Sequence, residues 1–161
     1  MKKLILVRHA KSDWSNGLMD KDRPLKSRGI TRAMYHAGLL LDHLDYVPEY
    51  WASSYATRAL HTATIFANKF DHINNLKIHK ELYTFSSEDL ESYITTIPNV
   101  IDSAILFGHN EALIDVINSL TSAGLEEFKT ASCAIITFNQ NRWEEVGNGK
   151  LISIISQNKI Q

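Results

Sequence analysis

Short apolar runs that stop abruptly at polar or cationic side chains constrain this chain more than any other feature. Leu4-Ile5-Leu6-Val7 is uninterrupted and then meets Arg8-His9, and Ala104-Ile105-Leu106-Phe107, within Ile101 to Phe107, meets Gly108-His109-Asn110. Runs of this length are too short for a helix face and are apolar toward both sides, as a strand buried between two layers requires. Trp51-Ala52-Ser53-Ser54 reads as the end of another strand, and Leu76 to His79 as a weaker one.

Between these runs the period changes. Ile30, Ala33, Met34, Ala37 and Leu41 recur at helical spacing, with Ser27 as the expected cap and a stop between His43 and Pro48. Ala59, Thr62, Ala63, Phe66 and Ala67 mark the inner side of a second helix. Ser86 and Ser87 precede the acidic turn Glu88, Asp89 and Glu91, with Pro98 closing that segment, and Asn110-Glu111-Ala112 starts a helix facing inward through Leu113, Val116, Ile117 and Leu120. Ser132 to Phe138 and Leu151 to Ile155 leave no room between them for a crossover helix, so they read as an antiparallel addition to the sheet. The expected architecture is an α/β three-layer sandwich, a mostly parallel central sheet flanked by helices, forming a single domain over residues 1–161.

Charge narrows the partners. Lys plus Arg number 17 against 18 Asp plus Glu, a formal net charge of −1, which gives no support to a nucleic-acid surface. Cys133 is the single cysteine, which excludes an intrachain disulfide and reads as a packing residue. Arg8-His9 cuts off the first apolar run before a signal peptide is complete, and no membrane-spanning stretch follows, so the expectation is a cytoplasmic chain without membrane attachment.

Functional loops of open α/β sheets gather at the carboxyl ends of the strands. Arg8, His9 and His109 follow two such ends directly, and Arg58 opens the helix after a third. A neutral imidazole can attack phosphorus, and guanidiniums present planar donor forks to phosphate oxygens. This set suits phosphoryl transfer better than acyl transfer. The plainer alternative is that each arginine makes an ordinary ion pair and each histidine a backbone hydrogen bond.

These residues resemble the histidine phosphatase superfamily, also called phosphoglycerate mutase-like. Leu6-Val7-Arg8-His9-Ala10 is similar to its nucleophile motif, the segment from Ser53 to Thr62 to its second arginine block, and Phe107-Gly108-His109-Asn110 to its late histidine block. The short length and the segment from Asp22 to Gly29 look most like the small phosphohistidine phosphatase branch. The resemblance implies a phosphoglycerate mutase-like fold, His9 as nucleophile and transient phosphate carrier, Arg8 and Arg58 as phosphate-binding residues, and His109 completing the pocket. It implies a phosphate-binding hydroxyl at Ser12, leaves Ser15 and Asn16 as turn residues, and makes Glu81 the nearest match to the wider family's proton donor, with Asp22 holding Arg23 or a neighbouring loop. Ala10 stands where glycine is common, which leaves the loop geometry open.

The activity so implied is hydrolysis of phosphate from a histidine-phosphorylated protein, a histidine phosphotransfer domain being the leading partner and inorganic phosphate the product. A general phosphomonoesterase and a non-catalytic phosphate-sensing module are the alternatives. No metal or other cofactor is expected, since His36, His43, His61, His72 and His79 form no recognised ligand pattern. The expected assembly is a monomer or weak dimer.

Overall fold

Leu4 to Val7 are wholly buried because their strand, β1 (Lys2–Arg8), lies in the interior of a seven-stranded sheet covered on both faces. The computed structural model describes residues 1–157 and 159–161. After β1 come α1 (Ser27–His43), β2 (Tyr50–Ser53), α2 (Thr57–Lys69), β3 (Leu76–Ile78), α3 (Ser87–Thr95), β4 (Ser103–Gly108), α4 (Ala112–Leu120), β5 (Cys133–Phe138), β6 (Lys150–Ser156) and β7 (Lys159–Ile160). The strand order is β3-β2-β4-β1-β5-β6-β7. The first four are mutually parallel, and β5, β6 and β7 extend the sheet antiparallel. This is the mostly parallel three-layer sandwich expected from the apolar runs. The short return strand β7 carries no apolar pattern and was not anticipated.

Side chains alternate across the pleat, so β1 feeds two cores. Leu4 and Leu6 join the α3 and α4 side with Leu90, Ile94, Leu113 and Ile117. Ile5 and Val7 join the α1 and α2 side with Ala33, Leu40, Ala63 and Phe66. Cys133 belongs to this second core, fully buried as a small packing residue.

Two local expectations need correction at α1. Ser27 is its first residue rather than its cap, and the extended Lys26 before it makes no side-chain capping bond. Met34 is exposed, because the buried face runs through Gly29, Ala33, His36, Ala37 and Leu40. His36 takes the inward place with its Nδ1 donating to the Ala131 carbonyl at 2.7 Å.

The loop between β1 and α1 is braced by the chain that enters α1. Asp13 N donates to Pro24 O at 2.8 Å, Lys26 N to Lys11 O at 2.9 Å, and Ser12 bridges to Leu25. Gly29 permits this approach, since a Cβ there would lie 2.4 Å from Lys11 O and 2.9 Å from Lys11 N. Both contacts are backbone, so the collision cannot be relieved by a rotamer change. Gly29→Ala is expected to cost about 1–3 kcal/mol, read as a fall in melting temperature of roughly 2 to 12 °C. An unchanged melting temperature would show that the β1–α1 loop yields freely.

Candidate active site

Parallel register brings the two histidines together. Arg8 pairs with Gly108 across β1 and β4, so His9 and His109 leave neighbouring strands at the same level. Adjacent strands lie about 4.8 Å apart, and the two imidazole centroids are 5.3 Å apart with planes tilted by 50°. β2 flanks β4 on its other side with Ser53 opposite Phe107, which brings Ser54 Oγ to 2.9 Å from His109 Nε2. Arg58, second residue of α2, extends back over these strand ends.

The hydrogen bonds of His9 fix which nitrogen is free. Nδ1 lies 2.7 Å from the Ala10 carbonyl, which can only accept, so Nδ1 carries the proton. Nε2 keeps its lone pair and receives Arg58 Nε–H at 3.3 Å. Ala10 N donates to Thr62 Oγ1 at 2.9 Å, and Thr62 Oγ1 donates to Arg58 O at 2.7 Å, so α2 holds both the His9 loop and the arginine beside it. Ala10 is buried without a positive φ, so its backbone does not need the freedom of glycine.

Arg58 is 2% exposed, and its remaining donors reach one residue: Nη1 gives to Asp20 O at 2.6 Å and Nη2 to Asp20 Oδ2 at 2.9 Å. The other Asp20 oxygen accepts from Arg23 Nη2 at 2.9 Å. Arg23 is buried, donates through Nη1 to Ser12 Oγ, and stacks 3.5 Å from the centre of the exposed Trp14 ring, while its Nε finds no partner. Arg8 donates through Nη1 to Phe128 O at 2.8 Å, leaving its buried Nε unpartnered. Arg8, His9, Ser12, Asp20, Arg23 and Arg58 line one cleft of about 370 Å³, with Trp14 and Phe85 also on its wall.

His109 adjoins this cleft without lining it. It is 1% exposed, packs edge-on against Tyr83 at 5.3 Å and against Phe85 at 5.4 Å, and its buried Nδ1 has no partner.

The acidic residues fall differently from expectation. Glu81 is exposed on the turn Lys80–Leu82 and borders a separate cleft of about 680 Å³ with His79, Tyr83 and Tyr93, away from the one that holds His9. Asp22 pairs with Lys21 at 3.0 Å rather than with Arg23. The carboxylate among the arginines is Asp20, which the sequence reading missed. Its spacing three residues before Arg23 on the single turn Asp20–Asp22 was the available signal. Ser15 turns the loop, its N and Oγ both donating to Asp13 Oδ1, and Asn16 is exposed.

Charge and burial set the protonation states. Burial pushes the His9 imidazolium pKa down to about 3, opposed by the hydrogen bond to the Ala10 carbonyl and reinforced by the positive charges of Arg58, Arg8 and Arg23. Burial likewise takes His109 to about 3, reinforced by His9 and Arg58 and opposed by Asp20. Partial burial disfavours ionised Asp20, but hydrogen bonds from Tyr83, Arg23 and Arg58 hold its carboxyl well below the usual range.

An unfolded histidine titrates near 6.5. The unfolded chain therefore binds more protons than the folded one between about pH 6.5 and pH 3, and stability is lost as pH falls through that window. NMR titration is expected to show both imidazoles neutral at pH 5 and melting temperature declining below pH 6.5. A midpoint near 6.5 for His9 would remove this electrostatic account.

Among the described residues, no cluster of His, Cys, Asp or Glu is arranged to hold a metal ion, and no helix is long and apolar enough to cross a membrane.

Residues 4–98 match the model of the histidine phosphatase superfamily, branch 1. An uncharacterised chloroplastic protein of Arabidopsis thaliana is 30% identical over 154 residues, covering 89% of this chain and 70% of the relative. A candidate phosphohistidine phosphatase SixA of Agrobacterium tumefaciens is 26% identical with a TM-score of 0.82, over 96% of this chain and 97% of that one. The protein histidine phosphatase SixA complexed with tungstate, 20% identical over 96% of each chain, shares the fold with a TM-score of 0.78.

Proposed function

The chain belongs to the histidine phosphatase superfamily and is a phosphatase, and from that premise we propose that it hydrolyses protein phosphohistidine through a phosphate carried on His9. The observation that carries this reading is the tautomer of His9: with Nδ1 committed to the Ala10 carbonyl, Nε2 is unprotonated, and its lone pair is held only by the 3.3 Å bond from Arg58 Nε–H, which the incoming group releases.

In this mechanism the incoming phosphoryl group displaces the Asp20 carboxylate from Arg58 and Arg23, and the freed guanidiniums, with Arg8, take its equatorial oxygens. His9 Nε2 attacks phosphorus in line as the bond to the substrate nitrogen breaks. His109, its ring centroid 5.3 Å from that of His9 and its Nε2 bonded to Ser54 Oγ, braces the nucleophile from the neighbouring strand. Water then attacks the phosphorylated His9, releasing inorganic phosphate and restoring the neutral imidazole. Ser12 holds Arg23 in place.

Substrate class follows from the acid that is lacking. Among the described residues Asp20 is the one carboxylate on the cleft wall, and before substrate binds its hydrogen bonds keep it ionised, so it enters the reaction without a proton to give a departing alkoxide. An imidazole protonated on its other nitrogen departs neutral and needs none. The arginines and histidines supply nucleophile and charge stabilisation, so the steps require no metal. The same reading places the chain in the cytoplasm, acting on a histidine phosphotransfer domain.

The test compares initial rates on a histidine-phosphorylated protein, a phosphohistidine peptide and p-nitrophenyl phosphate, with and without a metal chelator. Preference for the P–N substrates and indifference to chelation are expected. Faster turnover of the ester would reassign the chain as a general phosphomonoesterase, and loss of activity with chelator would end the metal-free mechanism.

A further inference from the structure

Next to the His9 cleft lies a second cavity, of about 240 Å³, lined by Lys11, Arg28, Gly29, Arg32 and Thr130. Lys11 and Thr130 line both, so the two adjoin across a shared wall. Lys11, Arg28 and Arg32 are all exposed, and none has an ion pair or side-chain hydrogen bond among the described residues. Lys2, Lys21, Lys129 and Arg142 each face a carboxylate, of Asp102, Asp22, Glu127 and Glu144 respectively. Lys26, Lys69, Lys80 and Lys150 also have no ion pair among the described residues, but only at this groove do three such cations line one cavity.

The placement works against the stability of the isolated chain. Arg28 and Arg32 sit four residues apart on one helical face, where like charges repel. Arg28 also occupies the first turn of α1, a turn without an acidic residue, where the helix dipole disfavours a cation. Gly29, pressed on the Lys11 backbone, fixes the third charge next to these two.

We infer that this basic groove is a docking site for an acidic segment of the phosphoprotein substrate, with Asp and Glu side chains beside the phosphohistidine that enters the His9 cleft. Charge complementarity selects the occupant: three unneutralised cations in a concave surface attract an anionic chain and steer its approach. Adjacency to the cleft selects the substrate itself over a separate effector. The neighbouring cleft beyond Tyr83 carries Glu81 and Asp89 with Lys80. The two clefts therefore differ in charge, and that difference gives the bound protein an orientation.

The inference rests on the phosphohistidine reading, and the experiment separates the two. The probe is a polyglutamate peptide, added during turnover of phosphoramidate or p-nitrophenyl phosphate, whichever the wild type hydrolyses faster. Polyglutamate is expected to inhibit the wild type, with Arg28→Glu/Arg32→Glu at least fivefold less sensitive and Arg28→Gln/Arg32→Gln intermediate. Uninhibited turnover of the small substrate is expected to stay within twofold in every variant. On a histidine-phosphorylated protein with an acidic surface, the double charge reversal is expected to raise KM at least fivefold and flatten the salt dependence of kcat/KM. Equal inhibition of wild type and variants, no inhibition of either, or a parallel loss of small-substrate turnover would overturn the groove. Failure of the wild type to act on any phosphohistidine protein would instead overturn the substrate reading while leaving the polyglutamate result to stand on its own.

Discussion

His9→Asn is expected to lower turnover by about four orders of magnitude or more while leaving the fold in place. The asparagine amide can still donate to the Ala10 carbonyl, as Nδ1 does at 2.7 Å, but it offers no ring lone pair toward Arg58. What disappears is the atom that forms the new bond to phosphorus, and neither Arg8 nor Arg58 can replace it because a guanidinium has no lone pair to give. His109 is not a substitute either, since its Nε2 is engaged with Ser54 and its ring lies behind Tyr83 and Phe85. Rapid quenching of the wild type with labelled substrate is expected to trap phosphate on His9, and none on the variant. Turnover by His9→Asn within tenfold of the wild type would move the nucleophile to another residue.

Arg58→Lys is expected to reduce kcat and kcat/KM together by about 10²- to 10³-fold, the cost of one well-placed donor to the transition state. Charge is retained, so a merely electrostatic role would survive the exchange. Arg58 does something a single ammonium cannot: its three nitrogens reach His9 Nε2, Asp20 O and Asp20 Oδ2 at 3.3, 2.6 and 2.9 Å. The lysine variant gives up the planar fork and the contact that orients the nucleophile. A rise in KM with kcat unchanged would show instead that Arg58 binds substrate and transition state equally.

The parts of this molecule that could be read from sequence are those that depend on neighbours along the chain. Leu4 to Val7 and Ala104 to Phe107 announce buried strands because continuous apolarity has no other economical use, and Arg8, His9, Arg58 and His109 stand out because each follows such an element. What escaped detection depends on which strangers meet. Only the three-residue spacing to Arg23 separates Asp20 from Asp22 locally, and the meeting with Arg58 comes from folding, which turns one toward the two arginines and the other toward Lys21. The hydroxyl of Ser54 meets His109 only because β2 and β4 are adjacent, an order no single segment encodes. Met34, expected on the inner face, is exposed, while His36 is buried with its Nδ1 donating to the Ala131 carbonyl, a partner 95 positions away that no local period reveals. Glu81 falls outside the cleft for the same kind of reason: its turn follows β3, at the far edge of the sheet.

The order of strands has a consequence for how the molecule is made. A nascent chain that has left the ribosome as far as Thr95 already holds β1, β2 and β3, and with them Arg8, His9 and Arg58, yet β1 and β2 have an empty slot between them. That slot is filled only by β4, whose Ser103 pairs with Lys3 a hundred positions earlier. Until it arrives, two strand edges stand open to pairing with foreign strands. Ring closure over so long a stretch is slow, which makes the gap a window of vulnerability during synthesis. The late strand also delivers His109, so the second imidazole reaches the site only when the sheet closes.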